Sequence, residues 1–257
     1  QDDQAGHYIP HHAIYKESAT TPLRIVFDCS CSQNGNPSLN DCLEPGTPLI
    51  NDLVAILLRF RSNKIAFSSD IEKAFLNVRL HEDDRQYTKF LWLRDASDPE
   101  SKLEIYRFRS VLFGSTSSPF ILNAVLKKHL NSYSSTVARD IMKNIYVDNL
   151  VSGVTTPQAN ASESNVAVSY FHESNAIMHD AGFKLRSWCT NDPILRETIA
   201  KGGMGLNETT VNVLGLKWDT TADTLTFPAQ PVQPVAVATI RTVLKLTSAL
   251  FDPLGLL

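Results

Sequence analysis

No stretch of this chain is long and apolar enough to span a bilayer, which excludes a helical membrane anchor within it. Positive charge is not in excess either: 24 Lys and Arg face 27 Asp and Glu, a formal net charge of -3. A bulk basic signature of nucleic-acid binding is therefore missing, although a local basic groove can act inside an acidic protein. Cysteine is scarce, at Cys29, Cys31, Cys42 and Cys189. Cys29-Ser-Cys31 is too tight for a zinc knuckle and no His follows at finger spacing, so a zinc finger is excluded. The clustered three leave a disulfide or another metal site open, beside the blander reading as reduced structural thiols of an intracellular protein. No internal repeat is visible, which excludes a solenoid. Gln1 to His7 lacks signal-peptide character and an initiator Met, and the expectation is a piece of a longer chain.

What is present is ordinary for a globular protein: 257 residues, 43% hydrophobic and 20% charged, enough for one large domain or two lobes. Apolar alternation predicts strands at Leu23 to Phe27, Lys64 to Ser69, Tyr87 to Leu93, Ile105 to Arg109, Asn144 to Val147, Leu150 to Ser152 and Phe183 to Trp188. A further pair is expected at Val213 to Trp218 and Thr224 to Phe227. Helical spacing predicts helices over Leu49 to Phe60, from Ser118-Pro119 through Leu130, over Asn165 to Ala181 and from Thr239 to Leu250. Pro228 to Pro234 reads as a linker. This order predicts an α/β (α+β) chain whose sheet carries helices on one face.

Two carboxylates stand out. Tyr146-Val147-Asp148-Asn149 interrupts an apolar run, and Asp-Asn between β-formers predicts a tight hairpin turn with Asp148 at its tip. Asp70 follows the apolar strand Ile65-Ala-Phe67 and the small Ser68 and Ser69. Singly, each also reads as a turn or cap residue. On neighbouring strands they would share one cleft, and two close carboxylates repel unless protonated or bridged by a cation. Mg²⁺ suits such hard oxygens, and two ions about 3.5–4 Å apart stabilise both oxygens of a phosphoryl transfer. Phe75, one turn beyond Asp70, is placed either to pack on a sugar or to fill a core. Arg24 and Lys16 are candidate triphosphate donors. Gly114, in Val111-Leu-Phe-Gly-Ser-Thr-Ser-Ser-Pro-Phe120, permits close backbone approach, or is a simple loop.

These segments together resemble a reverse transcriptase, of the Pao/BEL type of LTR retrotransposon polyprotein. The match rests on Pro22-Leu-Arg-Ile-Val-Phe-Asp-Cys-Ser30 with Asn36-Pro-Ser-Leu-Asn40, on Phe67-Ser-Ser-Asp-Ile-Glu-Lys-Ala-Phe75, on Arg109 to Phe120, and on Ile145-Tyr-Val-Asp-Asn149. Ala181-Gly-Phe-Lys-Leu-Arg-Ser-Trp188 and Val213-Leu-Gly-Leu-Lys-Trp218 resemble later palm elements, and His11-His12, Asn123 and Asp252-Pro-Leu-Gly255 point to this branch.

The resemblance implies a fingers-and-palm fold whose palm is a ferredoxin-like antiparallel sheet backed by helices. Fingers are expected at 1–66 and 81–110, palm at 67–80 and 111–227, and a linker with the start of the thumb at 228–257. It implies RNA-directed DNA polymerase chemistry with Mg²⁺ or Mn²⁺. The metal would be held by Asp70, Asp148 and the Ile71 backbone carbonyl, with Asn149 a weak ligand. Arg24, Lys16, Phe75, Phe113 and Gly114 would meet the nucleotide, and Tyr146, Gly215 and Trp218 the primer. Implied partners are a primed RNA or DNA template, dNTPs, and the thumb, RNase H, integrase and protease regions of the same polyprotein, with no membrane. The implied location is cytoplasmic, within retroelement particles, with nuclear entry open. Two departures stand: Asn149 where the family hairpin ends in Asp, and Phe113 where many retroviral-type enzymes have Gln. Two other readings are a catalytically degenerate remnant serving as a binding or structural module, and a different Mg²⁺-dependent phosphotransferase.

Overall fold

The computed structural model describes residues 6–15, 22–155, 162–206, 208–228, 239–248 and 251–255. The chain forms two compact units, Gln1–Ile50 with Lys73–Lys128, and Asn51–Glu72 with His129–Leu257. Among the described residues no helix is long and apolar enough to cross a membrane.

The first unit holds two antiparallel strand pairs, β1 (His11–Tyr15) with β2 (Leu23–Phe27), and β4 (Lys89–Leu93) with β5 (Leu103–Arg107). Its small core gathers Ile9, Cys29, Leu39 and Leu112, with Phe27 and Phe108 packed edge to face at 4.7 Å. Burial and the neighbouring Asp28 carboxylate push the Cys29 thiol up to about 11, so it serves as a core side chain and not as a reactive thiolate. Helix α2 (Ser118–Leu130) starts where Ser118-Pro119 predicts it.

The second unit is built on a four-stranded antiparallel sheet, ordered β6 (Ile145–Tyr146), β7 (Asn149–Val154), β3 (Ile65–Ile71), β8 (Leu185–Thr190). Alternation along β3 decides what each face buries. Phe67 lies at 4.7 Å from Tyr170 of α4 (Glu163–Asp180) and 5.9 Å from Trp188 of β8. Ala66, one position earlier, joins the opposite core with Val151, Cys189 and α1 (Leu53–Ser62) residues Ile56, Leu57 and Phe60. Strands β9 (Thr210–Val213) and β10 (Leu216–Asp219) close that core with Val211, Val213, Leu216 and Trp218, and β11 (Thr224–Thr226) pairs with β10. Helices on one face only were expected. α1 instead covers the second face, because the small apolar Ala66 and Val151 there need a partner to bury them.

Two helices escape the periodicity reading, α3 (Thr136–Asn144) and α5 (Pro193–Lys201), and Ile240–Ser248 forms α6. The expected strand Val213 to Trp218 is in fact two strands around a turn at Leu214 (φ 46°) and Gly215 (φ 92°). Positive φ at both central residues is the geometry of a tight hairpin. The linker expected at Pro228 to Pro234 lies outside the described residues beyond Pro228.

Beneath β7, Asp140 of α3 accepts hydrogen bonds from Ser152 Oγ (2.6 Å), Tyr170 Oη (2.8 Å) and Asn144 Nδ2 (2.8 Å). Arg59 Nε donates to Asn144 Oδ1 at 2.7 Å and ties α1 to the same network. Removing the shared acceptor strands several buried donors at once. Asp140→Ala is expected to cost roughly 2–4 kcal/mol in urea denaturation, and Tyr170→Phe only about 1 kcal/mol. Equal losses from both would show that the Tyr170 bond alone carries the contribution of Asp140.

Candidate active site

The site begins with strand register. β3 and β7 run antiparallel with Asp70 opposite Asn149, and the Ile71 N–H donates to the Asp148 carbonyl at 2.8 Å. One backbone bond thus ties the strand end that carries Asp70 to the hairpin tip that carries Asp148. The turn is not the Asp-Asn pair expected from sequence. Tyr146 pairs with Asn149, leaving Val147 and Asp148 as the two loop residues, with Val147 at φ 53°. A β-branched residue in the left-handed region costs on the order of 1–2 kcal/mol, and this strain sits immediately before the candidate metal ligand.

Asp148 is half-buried, and burial first, then the nearby Asp70 charge, raise its carboxyl above the ordinary value. The Asn149 side-chain amide opposes this by donating from Nδ2 to Asp148 Oδ1 at 2.8 Å. A half-buried carboxylate whose ionisation a neighbouring carboxylate opposes is a setting that favours a divalent cation. Beside them lies a cavity of about 320 Å³ lined by Ser69, Asp70, Asn149, Ser187, Glu208 and Asn212, among others. Among the described residues, the buried Ser69 Oγ at this cavity has no hydrogen-bond partner. Among the described residues no cluster of three or more His, Cys, Asp or Glu could hold a metal. The donors present fit a sparse Mg²⁺ site, two carboxylates whose remaining ligands would be water, backbone carbonyl and substrate phosphate.

The sequence reading did not assign a role to Arg186. Its Nε donates to Asp70 Oδ2 at 2.9 Å, and its Nη1 lies 3.9 Å from Glu72.

The remaining candidates fall as follows. Arg24 is exposed on β2, and Lys16 lies outside the described residues. Phe75 is 6% exposed and meets the exposed Phe113 edge to face at 4.6 Å. Gly114 has φ 94°, and a Cβ there would sit 3.0 Å from the Phe27 carbonyl. Its own carbonyl accepts from Asn40 Nδ2 (3.0 Å) while Asn40 Oδ1 accepts from Thr116 N (2.8 Å). Asn40 therefore clamps this loop from both sides, a role that its sequence position alone did not suggest.

Tyr146 packs against the core of the second unit, and at Gly215 a Cβ would collide with the Phe251 ring. Trp218 is a different matter. It is 0% exposed, packs on Phe60 at 4.9 Å and donates from Nε1 to Asp223 at 2.9 Å. Its ring holds the β9–β10 hairpin from within and is not available to touch a primer.

The model of the reverse transcriptase (RNA-dependent DNA polymerase) family matches residues 20–217, which include Asp70, Gly114 and Asp148. The chain belongs to this family. Solved structures similar to it include the foamy viral protease-reverse transcriptase in complex with RNA/DNA hybrid. That match has TM-score 0.53 and 17% identity, over 85% of this chain and 24% of that one. The same enzyme in a dRH form with double-stranded DNA gives TM-score 0.56 and 17% identity, over 87% and 31%. The native Prototype Foamy Virus protein gives 0.53 and 14%, over 84% and 23%. At these identities the likeness is one of fold, and this reverse transcriptase chain spans about a quarter to a third of their length. A comparison with curated proteins finds no match.

Proposed function

We propose that this chain is the fingers-and-palm part of an RNA-directed DNA polymerase, adding dNTPs to a primer 3'-hydroxyl. The observation that carries the proposal is the placement of Asp70, at the end of β3, beside the β6–β7 turn that bears Asp148: Asp70 faces Asn149, and the Ile71 N–H donates to the Asp148 carbonyl. Divalent cations bound there would lower the pKa of the primer hydroxyl and neutralise the triphosphate. Asp70 and Asp148 would hold them. The Ile71 N–H fixes the hairpin height, and the Val147 strain and the Asn149 amide fix the orientation of Asp148. Arg24, Phe75, Phe113 and Gly114 would receive the nucleotide, with Asn40 holding the Gly114 loop. Tyr146 and the Gly215 turn would face the primer.

The finer assignment is a Pao/BEL-type retrotransposon polyprotein, supported by His11-His12, Asn123 and Asp252-Pro-Leu-Gly255. On that reading, fingers occupy 1–66 and 81–110, palm 67–80 and 111–227, and a linker and the thumb start 228–257. A primed RNA or DNA template binds the chain, the thumb, RNase H, integrase and protease regions belong to the same polyprotein, and the protein works within cytoplasmic particles.

A second reading, a catalytically degenerate remnant, has its own observation: the residue opposite Asp70 is the neutral Asn149. The test is Mn²⁺- and Mg²⁺-dependent dNTP addition on a primed RNA template, using a chain extended through the thumb. Native protein is expected to extend with Mn²⁺. Asn149→Asp is expected to raise the Mg²⁺-dependent rate about tenfold, through one more anionic oxygen ligand. Activity seen only in Asn149→Asp would establish the remnant reading instead.

A further inference from the structure

The ladder between β3 and β8 slips beside Asp70. Phe67 faces Thr190 and Ser68 faces Cys189, but Asp70 faces Arg186 and Ile71 faces Leu185. Two steps on β3 match three on β8, so one extra residue is inserted as a bulge, and Ser187 takes φ 53° within it. In an unbroken ladder Asp70 would face Ser187. Directly opposed residues share a face of the sheet, so the bulge brings Arg186 round to the side that bears Asp70. The resulting row across three strands reads Asn149, Asp70, Arg186. One negative charge stands between a neutral amide and a guanidinium.

We propose that Arg186 is the resident counter-cation of this metal site, holding the Asp70 carboxylate until a divalent ion displaces it. The inference rests on the reading of Asp70 and Asp148 as metal ligands. The Nε–Oδ2 bond of 2.9 Å engages an oxygen that a cation needs. The guanidinium cannot lose its proton, so its charge also opposes an arriving ion. Glu72 offers it an alternative partner, at 3.9 Å from Nη1, and Lys184 sits on the far oxygen of Glu72 at 3.5 Å. Metal entry is then an exchange: the guanidinium leaves Asp70 and turns towards Glu72, and the ion takes its place. A strained backbone at Ser187 is what keeps this arginine in the row, since a regular ladder would have placed a small hydroxyl there.

Mn²⁺ titration followed by the electron paramagnetic resonance of the free ion tests this on the whole chain at low salt. Arg186→Gln is expected to bind Mn²⁺ about tenfold more tightly than native protein, a gain limited by the partial exposure of the pair. Arg186→Lys keeps the charge and is expected to stay within about threefold of native affinity. Asp148→Asn is the control for the site itself and is expected to lose most of the binding. The Arg186 Nε–H resonance is expected to shift on adding Mg²⁺ to native protein. An Arg186→Gln affinity equal to or weaker than native, with Asp148→Asn still defective, overturns the counter-cation role and leaves the metal site standing. An Asp148→Asn protein that binds Mn²⁺ like native overturns the metal site, and this proposal with it.

Discussion

Asp148→Asn is expected to abolish nucleotide addition and, at neutral pH, to raise the melting temperature. The loss follows from the removal of one of the two carboxylates proposed to hold catalytic cations, on the order of 10³-fold or more. The gain follows from what that carboxylate costs the apo fold. Burial, then the Asp70 charge, raise the Asp148 carboxyl above the ordinary aspartate value. The folded chain then binds more protons at this group than the unfolded chain just above that value. Stability therefore falls as pH rises from the unfolded value through the folded one, and the deficit persists at neutral pH. Below the unfolded value both states are protonated and the deficit vanishes. Asn at 148 is neutral throughout and can still accept the amide hydrogen bond from Asn149. A gain of roughly 0.5–2 kcal/mol at pH 7 is expected, shrinking to nothing below about pH 3.5. Calorimetry at the two pH values beside primer extension checks both halves. Asp70→Asn is expected to lose activity equally without the stability gain, because it also leaves Arg186 without its carboxylate partner. An Asp148→Asn protein less stable than native at pH 7 would mean that the carboxylate is a net structural asset.

Much of this site was readable because it lies where simple rules apply. Asp70 closes an apolar run, and Ser118-Pro119 starts a helix with Pro in its first turn. What was missed has a common cause. Val147 and Ser187 take left-handed backbone angles that a β-branched residue and a serine do not advertise. The turn was therefore expected one residue late, and the bulge that delivers Arg186 left no mark in the chain. Helix α5 did carry cap signals, with Asp192 accepting from Leu195 N and Pro193 in the first turn. Only Leu195 and Ile199 are buried along it, too few to register as a period. In α3 the apolar face is short, Val137, Ala138 and Ile141, and its last buried position is the polar Asn144, so too few turns repeat to register as a period.

Trp218→Ala is expected to be the most destabilising single change in the second unit, by about 3–5 kcal/mol. The ring is fully buried, and it is the largest side chain in the core made by Ile56, Leu57 and Phe60 of α1, Ala66 of β3 and Val151 of β7. Its edge-on contact with Phe60 is lost together with its area, a further 0.5–1.5 kcal/mol being typical of such pairs. The indole N–H also fixes Asp223, whose carboxylate and carbonyl receive Arg61 of α1 at 2.8 and 3.0 Å. The cavity would therefore loosen α1 and the β9–β10 hairpin together, and with them the packing behind β3 and β7, the strands that position Asp70 and Asp148. Trp218→Phe keeps a ring against Phe60 and gives up the Asp223 bond, so it is expected to recover more than half of the stability and most of the activity. Urea midpoints of the two variants, read beside template affinity, separate a core residue from a contact residue. A Trp218→Ala protein that unfolds at the native midpoint yet fails to hold a primed template would place the ring at the primer after all.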